Sequence, residues 1–277
     1  MTRRWKGYTV YKNHKDGCSN DQHDFLARLV ADRPEQWILK GGLALQWRLG
    51  NVARTTRDLD MLLMAPIEGI HARLVRATQR ELGDWFRFLV QQPTASAGAG
   101  GGQRASVQAL LDGRPFEAFH LDIGWGDPVI EPAEELTGPA LLEFAEIEPT
   151  TVPSYPVTQH IAEKVHAYTR PHVSGESSRV KDLVDILLIA HMRPMSGEIL
   201  GKALQVTFAA RNTHPLPGSL PDPPTGWAAP SRRLAREVGL SSDSLATAAM
   251  LASQFLDPAL QGRSHGLWDP EKWQWPD

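Results

Sequence analysis

Asp58 and Asp60 stand on either side of Leu59 in the stretch Lys40 to Leu63, KGGLALQWRLGNVARTTRDLDMLL, and lead directly into the apolar run Met61, Leu62, Leu63 and Met64. Two acids opening such a run read as the start of a strand. Strands repeat every two residues, so both carboxylates face the same side. Like charges that close, beside a strand too apolar to be an exposed edge, repel each other and are costly to desolvate unless a cation sits between them. A divalent metal would supply that cation. Upstream, Gly41 and Gly42 open a short helical stretch. Glycines at a strand-to-helix turn let backbone N–H groups approach a phosphate, and the helix N-terminus adds a favourable potential for the anion. The plain alternative is a tight turn followed by a solvated strand end.

A third acid, Asp122, lies in a separate apolar segment, FHLDI. Three carboxylates on neighbouring strands are what a two-metal phosphoryl-transfer centre needs, with metals roughly 4 Å apart clamping the attacking and leaving oxygens. Asp122 would otherwise be the partner of an arginine such as Arg57 or Arg114. A second group sits further on: Lys164 in AEKVHA, and Asp182 with Asp185 in RVKDLVDI. The two acids are three apart and share a helix face. A lysine there can counter triphosphate charge, and the alternative is a solvated face or a salt bridge. His160 and His166 are six apart, which does not place them on one helix face for a metal; they read as surface or packing residues.

The elements that must position these groups alternate. Residues 21–32 have helical spacing of Phe25, Leu26, Leu29 and Val30, and Trp37 to Leu39 is a strand entering the glycines. Leu43 to Leu49 is a helix stopped by Gly50, Leu59 to Met64 a strand, Ile67 to Leu82 a helix, and Trp85 to Val90 a strand. Residues 94–103, TASAGAGGGQ, read as a flexible loop. Val107–Leu111 and Phe116–Ile123 flank Asp112-Gly113, a strong hairpin signal. Helices are expected at Thr158–Thr169, with Thr158 as cap, and at Val180–His191. Helices then dominate to Leu260, broken by LPGSLPDPP at 216–224. The layout predicts an α+β chain: a mixed sheet over 1–150, then a helical part over 151–277.

Composition bounds the possibilities. A chain of 277 residues with 42% apolar content can bury a sizeable core. A formal charge of −3 argues against a basic nucleic-acid coat, so a polyanion must meet a local patch. The single Cys18 excludes an internal disulfide framework. The basic N-terminus lacks the apolar segment of a signal peptide, and no run approaches the length of a membrane span. The expectation is a soluble protein of the cytoplasm without a membrane partner. Of nine tryptophans, three fall in the last ten residues, where packing is the simple explanation.

KGG followed by ALxxR, then RTTRDLD, LDIG, AEKVHA and KDLVD, resembles the AbiEii-type nucleotidyltransferases, toxins of abortive-infection and type IV toxin–antitoxin systems; the mycobacterial MenT toxins are similar. The run FAARNTHPLPGSLPDPPTGWAAPSRRLA extends the likeness, from about residue 35 to about residue 260. The resemblance implies a DNA-polymerase-β-like core, dependence on Mg²⁺ (or Mn²⁺), and transfer of a nucleoside monophosphate from an NTP with release of pyrophosphate. By that resemblance Asp58 and Asp60 are the metal-binding pair, with Asp122 the added acid. Lys40, Gly41, Gly42, Arg57, Lys164 and Asp185 would serve the nucleotide, and Asp182 would orient Lys164 or the nucleotide. Gly42 stands where many polymerase-β-like enzymes have Ser, which removes a hydroxyl and leaves the backbone to meet phosphate. For the MenT-like members the implied acceptor is the 3′ end of tRNA, with a cognate antitoxin as partner. Thr56 occupies a place where related toxins carry a hydroxyl that a kinase-like antitoxin can phosphorylate. The competing expectations are a protein or small-molecule acceptor, or a catalytically silent RNA- or partner-binding protein.

Overall fold

A computed structural model describes the backbone of residues 2–5, 8–11, 20–33, 36–50, 56, 58–65, 68–96, 101–140, 148–171, 179–240 and 244–276, with side chains from residue 21 onward. The chain forms two compact units, Met1–Gly126 with Ala133–Tyr155, and Asp127–Pro132 with Pro156–Asp277.

The first unit carries an N-terminal antiparallel hairpin, β1 (Thr2–Trp5) with β2 (Tyr8–Tyr11). Helices α1 (Asn20–Asp32), α2 (Gly41–Leu49) and α3 (Ile70–Thr78) accompany an eight-stranded mixed sheet. Its strands are β3 (Trp37–Lys40), β4 (Asp58–Leu63), β5 (Phe86–Val90), β6 (Thr94–Ala95), β7 (Gly102–Leu111), β8 (Arg114–Trp125), β9 (Glu134–Thr137) and β10 (Thr151–Ser154). The order is β5-β7-β8-β4-β3-β10-β9, with β6 on β7; β4 runs parallel to β8 and β10 parallel to β3. Two-residue periodicity sorts the sheet. Leu59, Met61 and Leu63 of β4, Ala105, Val107 and Ala109 of β7, and Phe119, Leu121 and Ile123 of β8 bury into one core with Phe25, Leu29 and Leu74. Asp58, Asp60, His120, Asp122 and Arg104 take the intervening positions.

The expected hairpin forms at Asp112 and Gly113, with φ of 51° and 72°, as a two-residue turn between right-twisted strands requires. Two expectations are corrected. Helix α3 is shorter than 67–82: Gly69 before it is left-handed, and beyond Ala77 no residue is buried until Phe86, so nothing holds further turns on the core. The glycine stretch is not all loop: Thr94–Ala95 pairs with Gln103 and Arg104, and β7 begins at Gly102. Residues 97–100 of that stretch lie outside the described residues.

The second unit is helical: α4 (Val157–Thr169), α5 (Val180–Met192), α6 (Gly197–Arg211), α7 (Ala228–Glu237) and α8 (Leu245–Leu260). Thr158 does not cap α4. It lies inside the helix and its hydroxyl donates to Glu131, while Pro156 holds the cap position, where a missing N–H costs nothing. Ser196 and Ser244 do cap α6 and α8, accepting from Ile199 N at 3.3 Å and Thr247 N at 3.1 Å. The three terminal tryptophans are anchors. The indole N–H of Trp268, Trp273 and Trp275 donates to the carbonyls of Ala190, Leu251 and Phe255 at 2.8, 3.0 and 2.9 Å. Among the described residues no helix is long and apolar enough to cross a membrane.

Candidate active site

Strand register brings the acids together. Across four adjacent strands Lys40 pairs with Asp60, Asp60 with Asp122, and Asp122 with Arg104. Paired residues on neighbouring strands lie about 4.8 Å apart and share a face. The result is a row of charges ordered plus, minus, minus, plus, with Asp58 two residues from Asp60 on the same face. Asp58 pairs with His120, whose Nδ1 lies 3.4 Å from Ser106 Oγ. Lys40 Nζ also stands over the Tyr155 ring, 5.5 Å from its centroid.

The Asp122 carboxylate is held by Arg104. Its Nε donates to Oδ1 at 2.6 Å and its Nη2 to Oδ2 at 2.5 Å, a two-pronged ion pair. That hydrogen bonding holds the guanidinium above its ordinary pKa against the opposing effect of burial, with Asp122, Asp58 and Asp60 adding their negative potential. Arg104 is the residue that sequence reasoning missed. Asp122 does have an arginine partner, and among the described residues it is Arg104 rather than Arg114. Among the described residues no three His, Cys, Asp or Glu side chains converge as a ready-made metal cage.

Gly41 and Gly42 are set against this row for steric reasons. Gly41 has φ of +68°, and a Cβ there would fall 1.9 Å from Asp60 Oδ2. The missing side chain is the space the Asp60 carboxylate occupies. A Cβ on Gly42 would come within 2.9 Å of both Cβ and Oγ1 of Thr56. Thr56 Oγ1 in turn donates to the Asp58 carbonyl at 3.2 Å and accepts from its N–H at 3.4 Å, a short loop that sets the start of β4. Arg57 lies outside the described residues. Asp58, Asp60 and Asp122 carry oxygen donors of the kind a hard divalent cation takes, and the side chain missing at Gly41 leaves the space that the Asp60 carboxylate fills.

In the second unit, α4 and α5 bring Lys164, Asp182 and Asp185 together. Lys164 Nζ lies 2.6 Å from Asp185 Oδ2 and 3.5 Å from Asp182 Oδ1, and Arg179 reaches Asp182 at 3.5 Å. Both aspartates are buried because the face they share turns inward beside Leu183 and Ile186. His160 and His166 are packing residues: both are buried, and His166 Nε2 meets Thr213 Oγ1 at 2.8 Å.

With this geometry in hand, the chain can be set beside known proteins. Residues 24–265 match the family model described as the nucleotidyl transferase AbiEii toxin of type IV toxin–antitoxin systems. Among solved structures it is similar to MenT4, a nucleotidyltransferase toxin from Mycobacterium tuberculosis H37Rv, at 21% identity, with 88% of this chain and 91% of that chain covered and a TM-score of 0.51. It also matches JHP933 from Helicobacter pylori at 16% identity, covering 87% of this chain and 93% of that one, with a TM-score of 0.46. No curated protein matches in sequence. The likeness to MenT4 shows a shared fold: a mixed sheet with helices, as the α+β layout predicts.

Proposed function

Because the chain belongs to the AbiEii family of nucleotidyltransferase toxins, we propose that it moves a nucleoside monophosphate from an NTP to the 3′-terminal hydroxyl of tRNA. The observation that carries this is the row in which Asp60 and Asp122 are direct strand neighbours, with Asp58 on the same face and Gly41 pressed against the Asp60 carboxylate. In the reaction the acceptor oxygen bonds to the α-phosphorus, the bridging oxygen to the β-phosphate departs with pyrophosphate, and the acceptor loses its proton.

Asp58, Asp60 and Asp122 would hold Mg²⁺ or Mn²⁺, which when bound neutralises charge on the attacking and leaving oxygens. The chain's own groups do the rest. Gly41 and Gly42 offer backbone N–H groups at the start of α2 to phosphate, with Lys40 beside them and Arg57 assigned the same task. Lys164, held by Asp185 and Asp182 in its own unit, is the cation assigned to the triphosphate. One of the row's acids accepts the acceptor proton. Most of the rate gain then comes from positioning and charge neutralisation.

Blocking tRNA ends would stop translation, and an antitoxin partner accords with the family. Thr56 is a site where such a partner could act. A phosphate of nearly two negative charges on its hydroxyl, which is hydrogen-bonded to the Asp58 backbone, would compete with the NTP for the metals that the acid row would hold. The test is incubation of the chain with each labelled NTP, Mg²⁺ and total cellular RNA. Label is expected in the tRNA band and is expected to fall roughly a thousandfold or more in Asp58→Asn, a loss of several kcal/mol of charge stabilisation. Label in protein or in a small molecule would replace tRNA as acceptor, and undiminished labelling by Asp58→Asn would remove the acid row from the mechanism.

A further inference from the structure

The acid row has its own resident cation. Arg104 is joined to Asp122 by a two-pronged hydrogen bond, it is set opposite Asp122 by register, and it sits on the same face as Asp58 and Asp60. Its side chain is 48% exposed. A guanidinium at that exposure gives up a carboxylate easily, because water screens the pair and rehydrates both partners. Its planar fork fits phosphate oxygens as well as it fits a carboxylate.

A guanidinium and a divalent metal are both positive, and both seek the same two Asp122 oxygens. Occupancy by one therefore works against the other. We infer that Arg104 is a displaceable counter-cation: it holds Asp122 until a divalent metal enters the row, then releases it and turns its fork onto the triphosphate of the incoming nucleotide. This rests on the nucleotidyltransferase reading of the row. Its consequence is linkage. Metal alone must evict Arg104 without compensation, whereas metal arriving with an NTP gives Arg104 a new anionic partner, so each ligand strengthens the other.

The full-length chain, Arg104→Met, Arg104→Lys and Asp58→Asn would be titrated with Mn²⁺, following the paramagnetic resonance of the free ion. Each titration is run alone and with the α,β-methylene analogue of each NTP, which cannot be cleaved at the reacting bond. Arg104→Met is expected to bind Mn²⁺ alone about fivefold more tightly, the scale of one unit charge removed at contact distance in water. The enhancement of Mn²⁺ binding by the analogue is expected to shrink by a similar factor. Arg104→Lys keeps the charge without the fork, so it should bind Mn²⁺ alone as the wild type does and still lose enhancement. If Arg104→Met does not fold, Arg104→Lys decides the matter. Unchanged or weaker Mn²⁺ binding in Arg104→Met, or an intact enhancement in either variant, overturns the inference while Asp58-dependent Mn²⁺ binding leaves the reading of the row standing. No Asp58-dependent Mn²⁺ binding in the wild type, with or without the analogue, overturns both.

Discussion

The two units each set a cation against carboxylates, and they do so in opposite surroundings. In the first, Arg104 and Asp122 have side chains 48% and 22% exposed. In the second, Lys164, Asp182 and Asp185 have side chains 10%, 7% and 3% exposed. The difference follows from the elements. A half-buried strand hands alternate residues to its open face, so the acid row meets water while Leu121 and Ile123 fill the core. Two aspartates three apart on α5, flanked by Leu183 and Ile186, are carried inward together. An exposed pair is worth about 0–1 kcal/mol and can change partners, whereas removing one member of a buried pair costs about 3–5 kcal/mol because a charge is left behind without water. The first arrangement suits exchange with ligands; the second holds a lysine in one place.

The largest effect should therefore come from Lys164→Ala. Urea unfolding is expected to lose about 3 kcal/mol, since Asp182 and Asp185 would keep their burial and lose the cation they share. Under the same conditions Arg104→Met should change stability by no more than about 1 kcal/mol. Equal losses in the two variants would erase the distinction between the units. A neutral outcome for Lys164→Ala would mean that water reaches Asp185 more freely than its 3% side-chain exposure implies.

Gly41→Ala should come next. The position has φ of +68°, a conformation costing a residue with a Cβ about 1–3 kcal/mol, and the new carbon would fall 1.9 Å from Asp60 Oδ2. Asp60 must then move. A shift of that order at a reacting site is expected to lower nucleotide transfer about 100-fold, well beyond what the stability loss accounts for. Transfer that falls only in step with the folded fraction would show that the Asp60 carboxylate does not need its present place.

Much of this arrangement was legible in the chain itself. Two-residue spacing put Asp58 and Asp60 on the same side of one strand, and the alternation of FHLDI set Asp122 apart from its core-facing neighbours, although Leu62 breaks the alternation of DLDMLL by burying at an intervening position. Asp112-Gly113 marked the turn between β7 and β8. Arg104 lay between the expected loop at 94–103 and the expected strand at Val107–Leu111, because β7 begins earlier than its apolar residues suggest, and an irregularity of pairing hides it further. Counting back from that turn with regular pairing sets Gln103 opposite Asp122, but the register shifts between Ala109 and Leu110 and brings Arg104 there instead. A bulge leaves little trace in residue types, so regular pairing alone would name the wrong residue opposite Asp122. Thr158 was lost for a different reason. Its hydroxyl is taken by Glu131, a residue 27 positions earlier that the local pattern around 158 does not contain. The Lys164 group was visible as types and spacing, yet whether its charges were buried or solvated depended on what packs over α5.

The smallest effect appears only on acidification, and it again separates the units. His23 in the first unit and His166 in the second are both neutral in the fold. Burial lowers His23 to about 3, with Nε2 accepting from the Trp47 indole at 3.0 Å. Burial, then Arg211, His214 and Arg170, lower His166 to about 4. An unfolded histidine takes up its proton near pH 6.5 while these two do not, so the unfolded state binds more protons below that point. Both contributions are thus complete above pH 6.5 and are lost as pH falls, His166 levelling off near 4 and His23 near 3. His166→Gln retains an amide to meet Thr213 and removes only the titration. Between pH 7 and pH 5 its urea midpoint should fall less than that of the wild type. Equal falls would mean that His166 is protonated in the fold at pH 5, and that the Thr213 contact holds the imidazole in either charge state.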